Sequence, residues 1–288
     1  MRILFSPNFL KSFKKILHYL TLTPFVLLAS GIEDAKTYHT NSALQWQVAI
    51  DLIDSMSLQP HERVLDIGSG DGKITALLSK KLLTGSILGV DISEAMVDFA
   101  SLHYSQNDYP NLTFLQLDAA EISFENQFDR VVSFSTLHWV IDQEKALKAL
   151  YHSLLPGGQL CIQTYGKSPI NITSVADALI HTEKWANSFP SYKRQRVFFT
   201  DEEYRNLLEC AGFHEVSVIG TWHESFFTTR EALINFAKPL LNFISHLPKT
   251  LQQEFTEEVV DRVISMTTVS DDGIIHYKTF NLLASGIK

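Results

Sequence analysis

The ten residues Val64-Leu65-Asp66-Ile67-Gly68-Ser69-Gly70-Asp71-Gly72-Lys73 restrict this chain more than any others. A short apolar run of strand character enters a turn with glycine at 68, 70 and 72, and a helical pattern starts at once. Glycine tolerates positive φ and lets a backbone approach a ligand closely. The helix N-terminus beyond the turn offers free N–H groups and the positive end of the helix dipole. The turn is therefore expected to hold an anionic or polar ligand group. A tight turn between strand and helix, with no ligand, is the alternative.

The flanking sequence repeats the same alternation. Strand patterns fall at Arg63–Ile67, Ser86–Val90, Thr113–Leu117, Arg130–Phe134 and Gln159–Tyr165. They are short and apolar, as parallel strands covered on both faces are. Between them, Lys73–Leu83, Glu94–Ser105 and Gln143–Leu154 carry apolar stripes at helical spacing,. Thr200 and Glu203 form a capping box for a helix ending near Gly212, and Thr228 with Glu231 suggests a second,. Two further strands are expected at His214–Thr221 and Ile274–Leu283, with helices at about Arg230–Leu241 and Leu251–Met266 between them. The sum is an α/β fold: a doubly wound, mostly parallel seven-stranded sheet with a helical insertion before the last strand. Residues 31–288 form one domain, and the insertion at 230–270 is either a lid over one end of the sheet or ordinary packing.

Composition narrows the function classes. Apolar residues make up 45% of 288, enough for a sizeable core and too many for a disordered chain,. Twenty-four Lys and Arg against 32 Asp and Glu leave a net charge of −8, which argues against nonspecific nucleic-acid binding,. The two cysteines, Cys161 and Cys210, make no C-x-x-C, so neither a disulfide framework nor a cysteine zinc site is expected,. The eleven histidines show no metal-ligand spacing,. Residues 1–30 stand apart: Lys11, Lys14 and Lys15 precede a broken apolar run from Ile16 to Ala29. That run is shorter than the roughly 20 residues a spanning helix needs. It reads either as a secretory signal ending near Ala29-Ser30-Gly31 or as an amphipathic helix that packs on the domain or lies on a membrane.

Three glycine motifs compete for the turn. A P-loop fails twice, because Ile67 stands at its first glycine and Ile74 at its Ser/Thr,. The nicotinamide fingerprint fails once, with Lys73 at its third glycine,. What remains is Asp-x-Gly-x-Gly-x-Gly. Asp91 follows in Gly89-Val90-Asp91-Ile92-Ser93, Asp118 in Leu117-Asp118-Ala119, then Phe128-Asp129-Arg130-Val131-Val132 and Leu155-Pro156-Gly157-Gly158. With these landmarks in this order, the sequence resembles the class I S-adenosylmethionine-dependent methyltransferases. The likeness covers about Tyr38 to Tyr165 well and the rest loosely. It implies an S-adenosylmethionine site built from Asp66, Gly68, Ser69, Gly70, Gly72, Asp91, Ile92, Asp118, Ala119 and Ser135. In it, Asp91 would take the ribose hydroxyls and Asp118 would read the adenine amino group.

A narrower resemblance concerns the acceptor. Tyr38-x3-Ser42-x2-Gln45-Trp46 and Ser135-Thr136-Leu137-His138-Trp139-Val140 are similar to segments of methyltransferase type 11 enzymes. The trans-aconitate and malonyl-carrier-protein carboxyl methyltransferases are of this kind. Ser135-Thr136 replaces that group's Asn-Ala, and His138 replaces its Gln. The resemblance implies methyl transfer to a small-molecule acceptor, with a carboxylate among the candidates. Tyr38, Trp46 and Trp139 would wall the pocket. A carboxylate acceptor needs no base; a hydroxyl or amine acceptor does, and His138 is placed for that work. Two other functions remain open at this point: an NAD(P)-dependent oxidoreductase using the same turn, and a binding module without catalysis. Because S-adenosylmethionine is made in the cytosol, a cytoplasmic enzyme is expected, with peripheral membrane contact through residues 1–30 or, alternatively, secretion.

Overall fold

The computed structural model describes residues 50, 52–54 and 56–288. Its strands are β1 (Arg63–Ile67), β2 (Ser86–Asp91), β3 (Leu112–Gln116), β4 (Phe128–Phe134), β5 (Leu154–Tyr165), β6 (His214–Phe227), β7 (Thr268–Val269) and β8 (Ile275–Ile287). The helices are α1 (Lys73–Ser79), α2 (Glu94–His103), α3 (Gln143–Ser153), α4 (Ile172–Ile180), α5 (Asp201–Ala211), α6 (Arg230–Ala237) and α7 (Lys249–Ser265). All strands join one sheet in the order β3-β2-β1-β4-β5-β8-β6, with the two-residue β7 beside β8. The first five of these pair in parallel, and β8 runs antiparallel to both β5 and β6. The expected doubly wound sheet is present, with β7 as an eighth strand.

From β1 the chain winds outward to β2 and β3, then returns to β4 on the other side. The gap between β1 and β4 is thus the point where the winding reverses, and open α/β sheets bind ligands there, beyond the strands' carboxyl ends. Alternate residues of β1 explain why its sequence is an unbroken apolar run. Val64 faces a core with Leu78, Leu82, Val132 and Leu283, while Leu65 and Ile67 face another with Val131, Leu147, Leu160 and Leu208,. Leu52, Ile53 and Met56 pack into the first of these.

Local chemistry sets the ends of the elements. Thr200 accepts from the Glu203 N–H while the Glu203 carboxylate accepts from the Thr200 N–H, so the expected capping box forms, and Gly212 closes α5 in the left-handed region,. The second expected box does not form. The β6–β8 ladder continues to Phe227↔Ile275, so Thr228 still belongs to the connection. The cap of α6 is Thr229, which accepts from the Ala232 N–H at 3.1 Å. Pro239, which has no N–H to donate, ends α6 at Ala237, and a 3-10 segment, Lys238–Ile244, replaces the expected α-helical continuation to Leu241,. Helix α1 also stops before the expected Leu83, because the Asn111 amide donates to the Ser79 and Leu82 carbonyls at 2.9 and 2.7 Å. At the start of β5 the register shifts across Pro156-Gly157, and regular pairing resumes at Gln159.

The helical insertion does not stand alone. Leu233, Ile234, Leu241, Phe255 and Val259 share a third core with Leu179, Trp185 and Phe189 from the β5–α5 connection, and with Phe227, Ile275 and Tyr277 from the sheet. At the opposite, amino end of the sheet lies a buried ion pair. Arg130 of β4 donates from Nε and Nη2 to the Glu62 carboxylate at 2.7 and 2.9 Å, and from Nη1 to the Gln159 amide oxygen at 2.8 Å.

Candidate active site

Four adjacent strands bring the crevice together. Gly68 follows β1, Asp91 ends β2, Asp118 follows β3, and Ser135 follows β4. Register keeps them on one edge: Ile67 pairs with Val90 and with Ser133, and Asp91 pairs with Gln116. All three turn glycines have positive φ, at 74°, 53° and 79° for Gly68, Gly70 and Gly72. The turn is anchored by the Gly68 and Ser69 N–H groups, which donate to the Val90 carbonyl at 2.7 and 2.9 Å. A methyl group at Gly68 would stand 2.1 Å from the Thr136 hydroxyl oxygen, so only glycine fits between the turn and the loop after β4,.

The carboxylates occupy distinct places. Asp91 accepts from the Gly70 N–H and from the Ser93 N–H, each at 2.9 Å, so one side chain fixes the turn and the start of α2. A carboxylate has lone pairs left for further donors after two such bonds. Burial raises the Asp91 pKa, against the lowering effect of these N–H groups. Asp118 accepts from the Ala120 N–H at 2.8 Å and caps the 3-10 turn that contains buried Ala119. Ile92 is 65% exposed beside Asp91, an apolar surface at the crevice rim. Asp66 lies beneath the turn, almost completely buried, and accepts from the Thr75 hydroxyl at 2.7 Å. Burial pushes its pKa up to about 7, and the nearby Asp91 adds to the rise. The Ser69 hydroxyl is buried in the turn with no hydrogen-bond partner among the described residues. A glycine cradle, a strand-end carboxylate with spare lone pairs, an exposed apolar rim and an orphaned hydroxyl suit a polar cofactor with an adenosine end.

Next to this crevice lies a second hollow of about 610 Å³, counted with its open mouth. His138 and Trp139 reach it from the loop after β4, Tyr165 from the end of β5, and Phe236 and Leu240 from the insertion. Ser135 links the two spaces. Its backbone is left-handed, at φ 53°, which a serine sustains only where its surroundings hold it,. Here its N–H and hydroxyl both donate to the Gln163 amide oxygen, at 2.9 and 2.7 Å. The Tyr165 phenol, raised in pKa by burial, also feels the Ser135 hydroxyl and Arg196.

Arg196 is the unusual member of the hollow. It is 7% exposed, and its Nη1 donates to the Leu240 carbonyl at 3.1 Å. Its guanidinium lies 3.7 Å from the centre of the Trp139 ring,. Its Nη2 has no hydrogen-bond partner among the described residues. Burial pulls its pKa down to about 10, so it stays charged near neutral pH. Chain geometry fixes it there, since the Val197 N–H donates to the His138 carbonyl at 2.9 Å. His138 is buried between Tyr165 and Phe198, with Nδ1 3.4 Å from the Thr164 hydroxyl. Burial, with Arg196 beside it, holds its pKa well below 6.5, and the ring is neutral.

Of the residues expected at the site, the structure gathers Gly68, Ser69, Gly70, Gly72, Asp91, Ile92, Asp118, Ala119 and Ser135 at the crevice. It puts Asp66 under the turn, and His138 and Trp139 in the adjoining hollow. Tyr38, Trp46 and residues 1–30 lie outside the described residues. Among those described, no helix is long and apolar enough to cross a membrane. Sequence reading missed Arg196, Tyr165 and His223. Arg196 sits in Tyr192-Lys193-Arg194-Gln195-Arg196, a run that looks like a solvated surface strip.

Comparisons with known proteins bear on the family and the fold. A family model described as a methyltransferase domain matches residues 58–223. The juvenile hormone acid O-methyltransferase of Drosophila melanogaster is 28% identical over 215 residues, which is 71% of this chain and 72% of that one. A trans-aconitate 2-methyltransferase of Variovorax paradoxus is 26% identical over 236 residues, 78% of this chain and 86% of that one. The YcgJ protein of Bacillus subtilis has the same fold, with a TM-score of 0.60 at 18% identity over 84% of this chain and 98% of that one. The nicotinamide and non-catalytic alternatives give way to the family match. The chain belongs to the methyltransferase domain family and is a class I S-adenosylmethionine-dependent methyltransferase.

Proposed function

We propose that the enzyme methylates a carboxylate oxygen of a small-molecule acid, with Arg196 as the counter-charge for that carboxylate. One observation carries the reading: a charged guanidinium, 7% exposed, stands beside the cofactor crevice with no acidic partner among the described residues. An isolated buried charge is costly, and the cost is offset when an anion binds it. Juvenile hormone acid O-methyltransferase, trans-aconitate methyltransferase and malonyl-[acyl-carrier protein] O-methyltransferase are among the similar proteins, and two of these names specify O-methylation.

S-adenosylmethionine, when bound, supplies an activated methyl group whose transfer to oxygen leaves a neutral thioether. The chain's residues do the holding and aligning. Gly68, Ser69, Gly70 and Gly72 receive its polar end, Asp91 the ribose hydroxyls, and Asp118, Ile92 and Ala119 the adenine. Asp66 braces the turn through Thr75. Ser135 faces the reacting end and joins it to Tyr165. Arg196 orients the acid so that one oxygen points to the methyl, where alignment supplies most of the rate. His138 stays neutral and positions this oxygen rather than removing a proton; an ionised acid has none to give. Phe236 and Leu240 roof the hollow and exclude water. Tyr38 and Trp46 are proposed as further pocket walls, and the cytosol as the place where the cofactor is met.

The test is transfer of a labelled methyl group to a panel of acids, alcohols and amines. Label that alkali releases as methanol marks a methyl ester and supports the reading. Alkali-stable label on oxygen, nitrogen or carbon rejects it.

A further inference from the structure

We infer that the hollow selects acids with a single carboxylate on an apolar body, and that it disfavours di- and tricarboxylates. The inference rests on the carboxylate reading above and adds the class of acid. Among the described residues lining the hollow, Arg196 carries the one formal charge. The two histidines there do not add to it: burial lowers the pKa of both His138 and His223. Most of the remaining exposed wall is apolar, with Phe198, Phe236, Leu240 and Tyr277 facing the space, and Asn171, Thr173, Ser225 and Thr279 add neutral polar groups but no charge. One guanidinium can pair with one carboxylate in a forked geometry. A second carboxylate would lose its hydration against ring faces that are themselves electron-rich, with no cation to meet it. An apolar body gains from the same walls.

Arg196 also faces a second space. It lies on the boundary between this hollow and a more polar, open groove lined by Lys167, Asp177, His181 and Arg194. Arg194 is already paired with Asp177 at 2.8 Å, so it does not duplicate the free charge of Arg196. The selectivity thus comes from one cation that has no acidic partner among the described residues, not from a general basic surface.

The experiment is calorimetric binding to the full chain loaded with S-adenosylhomocysteine, using octanoate, its neutral amide octanamide, and tricarballylate. Octanoate is expected to bind about tenfold or more tightly than either. Arg196→Gln is expected to erase its advantage over octanamide, whose own affinity changes less than about twofold. The comparison on the unaltered protein stands even if that variant fails to fold. Tricarballylate binding as tightly as octanoate, or octanamide matching octanoate on the unaltered chain, overturns the inference. A base-labile ester formed on tricarballylate in preference to octanoate would overturn it while leaving the carboxylate reading intact. Arg196-dependent octanoate binding with label going only to alcohols or amines would support the pocket's selectivity and reject the reading.

Discussion

Arg130 and Arg196 are buried alike, at 4% and 7% exposure, yet they live at opposite ends of the sheet under opposite conditions. Arg130 meets the Glu62 carboxylate through two hydrogen bonds and Gln159 through a third. Burial pulls its pKa down, and Glu62 together with Cys161 more than reverses this, so the net shift is upward. Arg196 meets one backbone carbonyl and the face of Trp139, and burial wins. The first arginine is a finished part of the fold. The second is stabilised incompletely by the described residues around it. The ends differ because the amino edge of the sheet only has to hold, whereas the carboxyl edge has to receive something.

Removing each arginine is the harshest test of that contrast. Arg130→Met strands the Glu62 carboxylate in the interior and is expected to cost about 3–5 kcal/mol in urea unfolding. Arg196→Met strands no charge, only the Leu240 carbonyl, and is expected to cost less than about 2 kcal/mol,. Equal losses in the two variants would break the comparison.

Asp66 extends it to a carboxylate. It too lies at the carboxyl edge with a single hydroxyl partner, and its pKa of about 7 exceeds the ordinary 3.8. The folded chain therefore holds a proton that the unfolded chain releases above about pH 4. Stability falls as pH climbs from there, and the loss is complete above about 7. Asp66→Asn keeps an acceptor for Thr75 and escapes this loss. Its advantage over the unaltered chain is expected to grow by roughly 2–3 kcal/mol between pH 5 and pH 8 in chemical denaturation. An advantage that shrank over that range would mean the carboxylate is well partnered after all.

The roof over Arg196 gives the smallest effect. Thr229→Ala removes the cap of α6, which carries Phe236, and is expected to cost about 1 kcal/mol, while Thr228→Ala costs a few tenths at most. Thermal unfolding of the two variants separates them; the reverse order would restore the one-residue-earlier cap that the sequence suggests.

That shift by one residue shows what sequence reading reaches and where it stops. The glycine turn, Asp91 and Asp118 were legible because each is a local signal, a strand end followed at once by a turn and a helix. The five parallel strands followed from the same local alternation. The capping box at Thr200 was legible for the same reason. Thr228 misled because the competing factor is distant: the β6–β8 ladder runs on to Ile275 and keeps the chain extended through Phe227. Arg196 was illegible for a related reason. Nothing within Tyr192–Arg196 distinguishes it from Arg194, which pairs with Asp177 on the surface. Its role comes from His138 and Leu240, 58 and 44 residues away, which fix its backbone and its guanidinium. The crevice residues follow one another as local signals along the chain; the lining of the adjoining hollow is assembled across it.

The most direct test of the account is the steady-state kinetics of Arg196→Gln with a methylatable acid. The account predicts that kcat/KM for the acid falls about a hundredfold, while the KM for S-adenosylmethionine stays within about twofold of the unaltered enzyme. Unchanged turnover of the acid, or a loss confined to the cofactor's KM, would contradict it.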